Sequence, residues 1–226
     1  PRGLWYTCFG VSALWIVFTV CCYIVILVGG FVKDIGPGDM TLSLSHFLAG
    51  FGIEGTRFVG SAWNSFFNTV EVAAIAAPLT AIIGLLSAYV ITRHRFAGRR
   101  SFEFLTMVSF AIPGTVIGVS YIVAFNVPPL ELTGGMLILV LCFVFRNMPV
   151  GARAGIAALA QIDKTLDEAS ATLRGSTVRT LREVVVPLLR PAILATLVFS
   201  FTHAMTAVSA IIFLATAKYN LATVYI

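Results

Sequence analysis

At 226 residues, 58% of them hydrophobic and only 11% charged, the chain carries less than half the charge of an ordinary soluble domain, for which about 25% is typical. That composition excludes a water-soluble globular fold and makes a bilayer the expected solvent. The net charge of +5 invites a nucleic-acid partner, but the basic residues are distributed as membrane orientation requires, so no nucleic acid is expected.

Runs free of Asp, Glu, Lys and Arg cover Gly3 to Val32, Val72 to Ile91, Phe104 to Leu130 and Pro191 to Ala217. Each reaches the ~20 residues that cross ~30 Å of hydrocarbon at ~1.5 Å per residue. The first span is expected over 4–32. It opens at Pro1 rather than Met and has no small-residue cleavage pattern, so it reads as the start of a fragment and not as a signal peptide. An outer segment follows, broken up by Gly36-Pro37-Gly38 and carrying His46. The second span is expected over 62–92, with Trp63, Phe66 and Phe67 at the outer interface, where aromatic rings collect. Pro78 and Gly84 interrupt it, and Ala73, Ala74, Ala76 and Ala77 permit close helix approach.

The third span, 102–126, is interrupted by Pro113-Gly114 and ends at an outer turn containing Pro128-Pro129. The fourth, 132–158, meets Arg146 partway along. It reaches crossing length if Arg146 and Arg153, which share a helix face, snorkel toward one aqueous side. The fifth is expected over 188–216. The expected fold class is therefore all-α, a polytopic transmembrane helix bundle.

Eleven of the fifteen Lys and Arg residues fall in two places: Arg93, Arg95, Arg99 and Arg100 after the second span, and Arg146 through Arg190 around the fourth connection. Both connections are thereby assigned to the cytoplasm. Cys8, Cys21, Cys22 and Cys142 lie in or beside apolar spans without metal-ligand spacing, and they read as small hydrophobes.

Two polar residues stand inside spans. Glu71, eight residues beyond Trp63, would sit about 12 Å deeper than that ring. It either lines a permeation path or is a hydrogen-bonded packing residue. His203 is either a metal contact during translocation or a residue hydrogen-bonded to a neighbouring helix; no second ligand stands at i, i+4, so no resident metal is expected.

The stretch 161–187 is polar but patterned. Thr165-Leu166-Asp167-Glu168 fits a capping box and starts a short helix. Gly175 would close it in a left-handed conformation, and Ser176 would cap a second helix whose Val178, Leu181, Val184, Val185 and Leu188 form one apolar stripe. An ordinary solvated loop with a capped helix is the plainer alternative.

This loop resembles that of binding-protein-dependent ABC importer permeases, which runs E-A-A, three residues, G, nine residues, I-x-L-P. Here Glu168-Ala169-Ser170 precedes Val184-Val185-Val186-Pro187 at the same spacing. Ser170 replaces the second Ala, and Arg174 occupies the Gly position with Gly175 just after it. The polar Asn64 to Thr69 start of the second span extends the resemblance.

The resemblance implies one permease domain over 1–226, part of a longer chain, with the fold of the methionine and maltose importers. It also implies that Glu168, Ala169, Ser170, Arg174, Gly175 and Pro187 couple the domain to cytoplasmic ATPase subunits. The other implied partners are a periplasmic substrate-binding protein and a second permease half, in the inner membrane. The spelling Leu166 to Ser170 with Leu173-Arg174 looks most like the second half of a fused ferric-iron permease; polyamine, thiamine, sulfate and phosphonate importers share the loop.

No catalytic residue or cofactor is expected on this chain. Lys164-Thr165 is the one Lys followed by Ser or Thr, and Asp163 stands where a phosphate loop needs Gly. An ion-gradient-driven transporter using Glu71, or a membrane scaffold, is the competing class.

Overall fold

The computed structural model describes residues 2–33, 41–54, 57–58, 60, 62–163, 165–172 and 175–225. They form two compact units, Pro1–Trp63 and Asn64–Ile226.

The first unit is led by α1 (Arg2–Gly30), an uncharged helix after Arg2 and long enough to cross a bilayer, with none of its most apolar window buried by the chain. All its backbone groups can bond within the helix, as hydrocarbon demands. Val32 then bridges Leu42, and α2 (Ser45–Phe51) leads into a pair of two-residue antiparallel strands, β1 (Ile53–Glu54) and β2 (Arg57–Phe58). His46 ties this segment to the end of α1, its Nε2 lying 3.2 Å from both the Val32 and Lys33 carbonyl oxygens.

The second unit is a helix bundle. Helix α3 (Ala62–Arg93) buries one face made of small and hydroxylated residues: Ser65, Thr69, Ala73, Ala76, Thr80 and Ala88. The hydroxyls survive burial because they bond back along their own helix, Thr69 to Ser65 O at 2.6 Å and Thr80 to Ala76 O at 2.8 Å. Helix α6 (Met136–Ala160) crosses this face closely. A Cβ built on Gly84 would stand 3.0 Å from the Ala152 nitrogen, and one on Gly155 would stand 2.6 Å from the Ala88 Cβ. Small residues thus set the interhelical distance, as expected where lipid supplies no hydrophobic drive.

Between these helices, the stretch expected as one span over 102–126 is two helices, α4 (Arg99–Ala111) and α5 (Gly114–Phe125), with axes 108° apart. Pro113 accounts for the break, since it biases Ile112 to the extended conformation seen there, and Gly114 permits close approach of the new helix start.

The fifth expected span, 188–216, is also shorter as a helix. Helix α10 covers Arg190–Thr206, and the chain then turns through Ala207–Ala210 into a 3₁₀ turn at Ile211–Phe213. Among the described residues three helices are long and apolar enough to cross alone, or up to five crossings are possible by length and composition if each bent pair counts as one.

The chain end returns to α3. Asn68 Nδ2 donates to the Lys218 and Asn220 carbonyls at 3.3 and 3.2 Å, the Ala222 N–H donates to Thr69 Oγ1 at 2.8 Å, and α11 (Ala222–Tyr225) follows. That is the structural reason for the polar start of the second span.

Candidate functional site: a helix pair between two membrane helices

The loop after α6 forms two short helices, α7 (Thr165–Thr172) and α8 (Thr177–Thr180). Asp163 starts the first, its Oδ1 accepting the Thr165 N–H at 3.0 Å. Glu168 and Ala169 belong to the α7 backbone, while their side chains and the whole of Arg174 lie outside the described residues.

Ser170 is the joint between the two helices. Its hydroxyl lies 2.6 Å from that of Thr180, and since Thr180 Oγ1 itself donates to Ser176 O at 3.1 Å, Ser170 is the donor. Gly175 sits against the same residue: its N–H donates to Ser170 O at 2.9 Å, and a Cβ there would fall 2.5 Å from Ser170 Oγ. Gly175 is not left-handed, contrary to expectation, because the two glycines with positive φ among the described residues are Gly98 and Gly134. Close approach, not backbone handedness, calls for glycine here. Ser176 caps α8 as expected, accepting the Arg179 N–H at 3.3 Å.

Below the helix pair the chain is firmly rooted. Val185 and Leu189 are buried with Ala88 of α3 and Leu159 of α6, and Leu181 and Ile162 pack against them. Arg93 at the end of α3 donates to Ile162 O at 3.2 Å. Pro187 follows a π-helical turn, Leu181–Val185, in which the Val186 N–H reaches back to Leu181 O. The wider turn gives the proline ring room that the regular ladder lacks, and the segment Val178–Leu188 then meets α10 at 74°. Thr165, Leu166 and Thr172 of α7 are exposed, Leu166 by 43%.

The two intramembrane candidates are placed apart from this loop. Glu71 is exposed, on the face of α3 opposite its buried stripe, so it is not a packing residue of this chain's core. His203 is half-buried, stacked on Phe199 at 5.5 Å between ring centroids. Its neighbour in charge is Arg146, which acts on the His203 ring electrostatically. The guanidinium of Arg146 does not snorkel as the sequence suggested: Nη2 lies 3.4 Å from Ser209 Oγ, and Nη1 is buried. No group of three or more His, Cys, Asp and Glu suited to a metal is found among the described residues.

The described residues form a helical bundle with candidate membrane crossings and a braced helix pair between α6 and α10, the architecture of a multi-pass inner membrane component. Residues 80–223 match the profile of binding-protein-dependent transport system inner membrane components, and the chain belongs to that family. It is 49% identical, over its whole length, to the ferric transport system permease protein FbpB of Actinobacillus pleuropneumoniae, covering 32% of that protein. It is equally 49% identical to the putative ferric transport system permease protein FbpB 1 of Haemophilus influenzae, covering 100% of this chain and 35% of that protein. The chain thus spans about a third of the length of these relatives.

A crystal structure of a bacterial ABC transporter involved in the import of the acidic polysaccharide alginate shares the fold. Its TM-score is 0.71 at 17% identity, covering 98% of this chain and 82% of that one.

Proposed function

We propose that this chain is a permease segment of an ATP-driven importer and that α7 is the element a cytoplasmic ATPase grips. The carrying observation is the mechanical arrangement of α7: exposed on its outer side at Leu166, held to α8 through Ser170, and continuous with a base buried between α3 and α6. Such an element passes a push from a soluble motor into the bundle as rigid-body motion, giving alternating access. Hydrolysis belongs to the separate ATPase chain; a periplasmic binding protein delivers the cargo, and a second permease half completes the path, with Glu71 facing it. The names of the 49% identical relatives support ferric iron as cargo.

The test is purification of the full-length protein with its membrane complex. An ATPase subunit is expected to co-purify, and Glu168→Lys, which reverses charge on α7, is expected to weaken that association by about tenfold or more. A Glu168→Lys complex that assembles and transports normally would remove α7 as the docking element. Uptake that needs a proton gradient instead of ATP would replace the importer by a secondary transporter.

A further inference from the structure

Two interruptions of helical backbone meet beside one intramembrane cation. Arg146 lies ten residues into α6, about 15 Å from its start. At that level α4 gives way to α5 at Ile112-Pro113, and α10 gives way to the turn Ala207–Ala210. The two breaks touch: a Cβ on Gly114 would collide with Ser209 Oγ and Arg146 Nη1, and one on Gly118 with the Ala210 carbonyl oxygen. Non-helical backbone at membrane depth is tolerated only inside protein or along a water-filled cavity. An ionisable side chain there faces such a cavity rather than lipid.

The side chains at this point, led by Arg146, favour negative charge, and they outweigh the partial charges of the carbonyl ends of α4 and α10 that arrive here too. Arg146 offers a fork whose Nη2 shares its position with the Ser209 hydroxyl, while Nη1 has no hydrogen-bond partner. No carboxylate pairs with Arg146 among the described residues. His203 Nδ1 is likewise buried without a partner. The uncapped start of α5 meets the C-terminal ends of α4 and α10 at the same place, so the helix ends add no net positive charge and the guanidinium supplies it. Pro113, Val208 and Ser209 are exposed, which leaves the cluster open on one side.

A guanidinium fork flanked by a hydroxyl suits a tetrahedral oxyanion, which it can hold bidentately. It repels a bare trivalent cation, and the described residues provide no cluster of metal ligands to offset that repulsion.

We infer that Arg146, Ser209 and His203 form a phosphate-type oxyanion site on the translocation path, so that cargo passes this level as an oxyanion or bound to one. The inference rests on the importer reading and deepens it by naming the chemistry of the cargo.

Two measurements on the full-length complex separate the two ideas. ATP-dependent uptake by the wild-type complex in proteoliposomes tests the importer reading by itself. Equilibrium binding of radiolabelled inorganic phosphate to the solubilised complex tests the site. Saturable binding is expected for wild type, at least tenfold weaker in Arg146→Gln and partly retained in Arg146→Lys, which keeps the charge without the fork. Ser209→Ala, a one-atom change at the rim, is expected to weaken binding severalfold and guards against a misfolded Arg146→Gln.

Ferric uptake supplied with phosphate is expected to exceed uptake supplied with chloride alone, and this preference is lost in Ser209→Ala. Absence of phosphate binding in an active wild-type complex overturns the site while the importer stands. Phospholipid phosphorus that depends on Arg146 and does not exchange with inorganic phosphate assigns the site to a lipid headgroup and overturns its place on the path.

Discussion

Replacing Gly175 by alanine places a methyl carbon 2.5 Å from Ser170 Oγ and 2.9 Å from the Ser170 carbonyl oxygen. Neither separation is sustainable, so Ser170 must move away from Thr180 or the α7–α8 turn must open. Losing the hydroxyl pair costs about 0.5–1.5 kcal/mol, and forcing an extra methyl into a packed contact costs about 1–3 kcal/mol. A combined loss of about 2 kcal/mol lowers the closed-to-open ratio of the helix pair by roughly 30-fold. The assay is hydrogen exchange on the full-length complex. Exchange at the Gly175 and Thr180 amides, which donate to Ser170 O and Ser176 O, should accelerate by that factor, while peptides from α6 stay unchanged. ATP-driven uptake should fall with it. The double variant Ser170→Ala with Gly175→Ala removes the nearer clashing atom and should recover part of the protection. Wild-type exchange in Gly175→Ala, or a double variant no better than the single one, would show that the joint is not built as described.

Gly155→Ala sets a Cβ 2.6 Å from that of Ala88, with no flexible side chain there to yield, and should destabilise the α3–α6 contact by about 1–3 kcal/mol, read as a lower thermal midpoint in detergent. Asn68→Ala removes the donor to the Lys218 and Asn220 carbonyls and should speed tryptic cleavage after Lys218 by about tenfold, for about 1.5 kcal/mol of lost bonding. Glu71→Gln should impair uptake at normal expression; unchanged uptake would take Glu71 off the path.

Hydropathy made the helical class legible, because a bilayer imposes length rules on sequence directly, and turn and capping residues made the helix pair of the loop legible. What escaped was set by tertiary contact. Pro113-Gly114 announced an interruption, but its 108° angle depends on the Ser209 and Ala210 segment that meets Gly114 and Gly118. The end of α10 at Thr206 has no local signal at all, since Ala207-Val208-Ser209-Ala210 contains neither glycine nor proline. Arg146 read as a snorkelling cation because nothing in its neighbourhood along the chain reveals Ser209, 63 residues away. In the loop, Ser170 looked like a departure from the family spelling. Its purpose appears only when Thr180 is brought beside it, and the same contact explains Gly175 better than a left-handed turn does.

Helix α10 connects the two places where function is proposed. At its start it joins the π-helical turn and α8 across a 74° bend; at its other end lie His203 and, just beyond, Ser209. Seventeen residues of helix make a strut of about 25 Å, stiff along its length. Near the loop, Leu85 and Tyr89 of α3 and Leu181, Leu189 and Ile193 line a half-open apolar groove of about 220 Å³, rimmed by the exposed Ile82, Leu86 and Val186. If α7 is the docking element proposed above, tilting it would reach α10 across the 74° bend after Leu188 and act on α10 together with α6, against which it is closely packed. Gly151 of α6 meets Thr196 of α10 and Gly84 of α3 at one level, so these three helices are held closely together there. On that argument Arg146 on α6 and Ser209 just beyond α10 would move as one body, and the proposed oxyanion site would keep its geometry while its access changes.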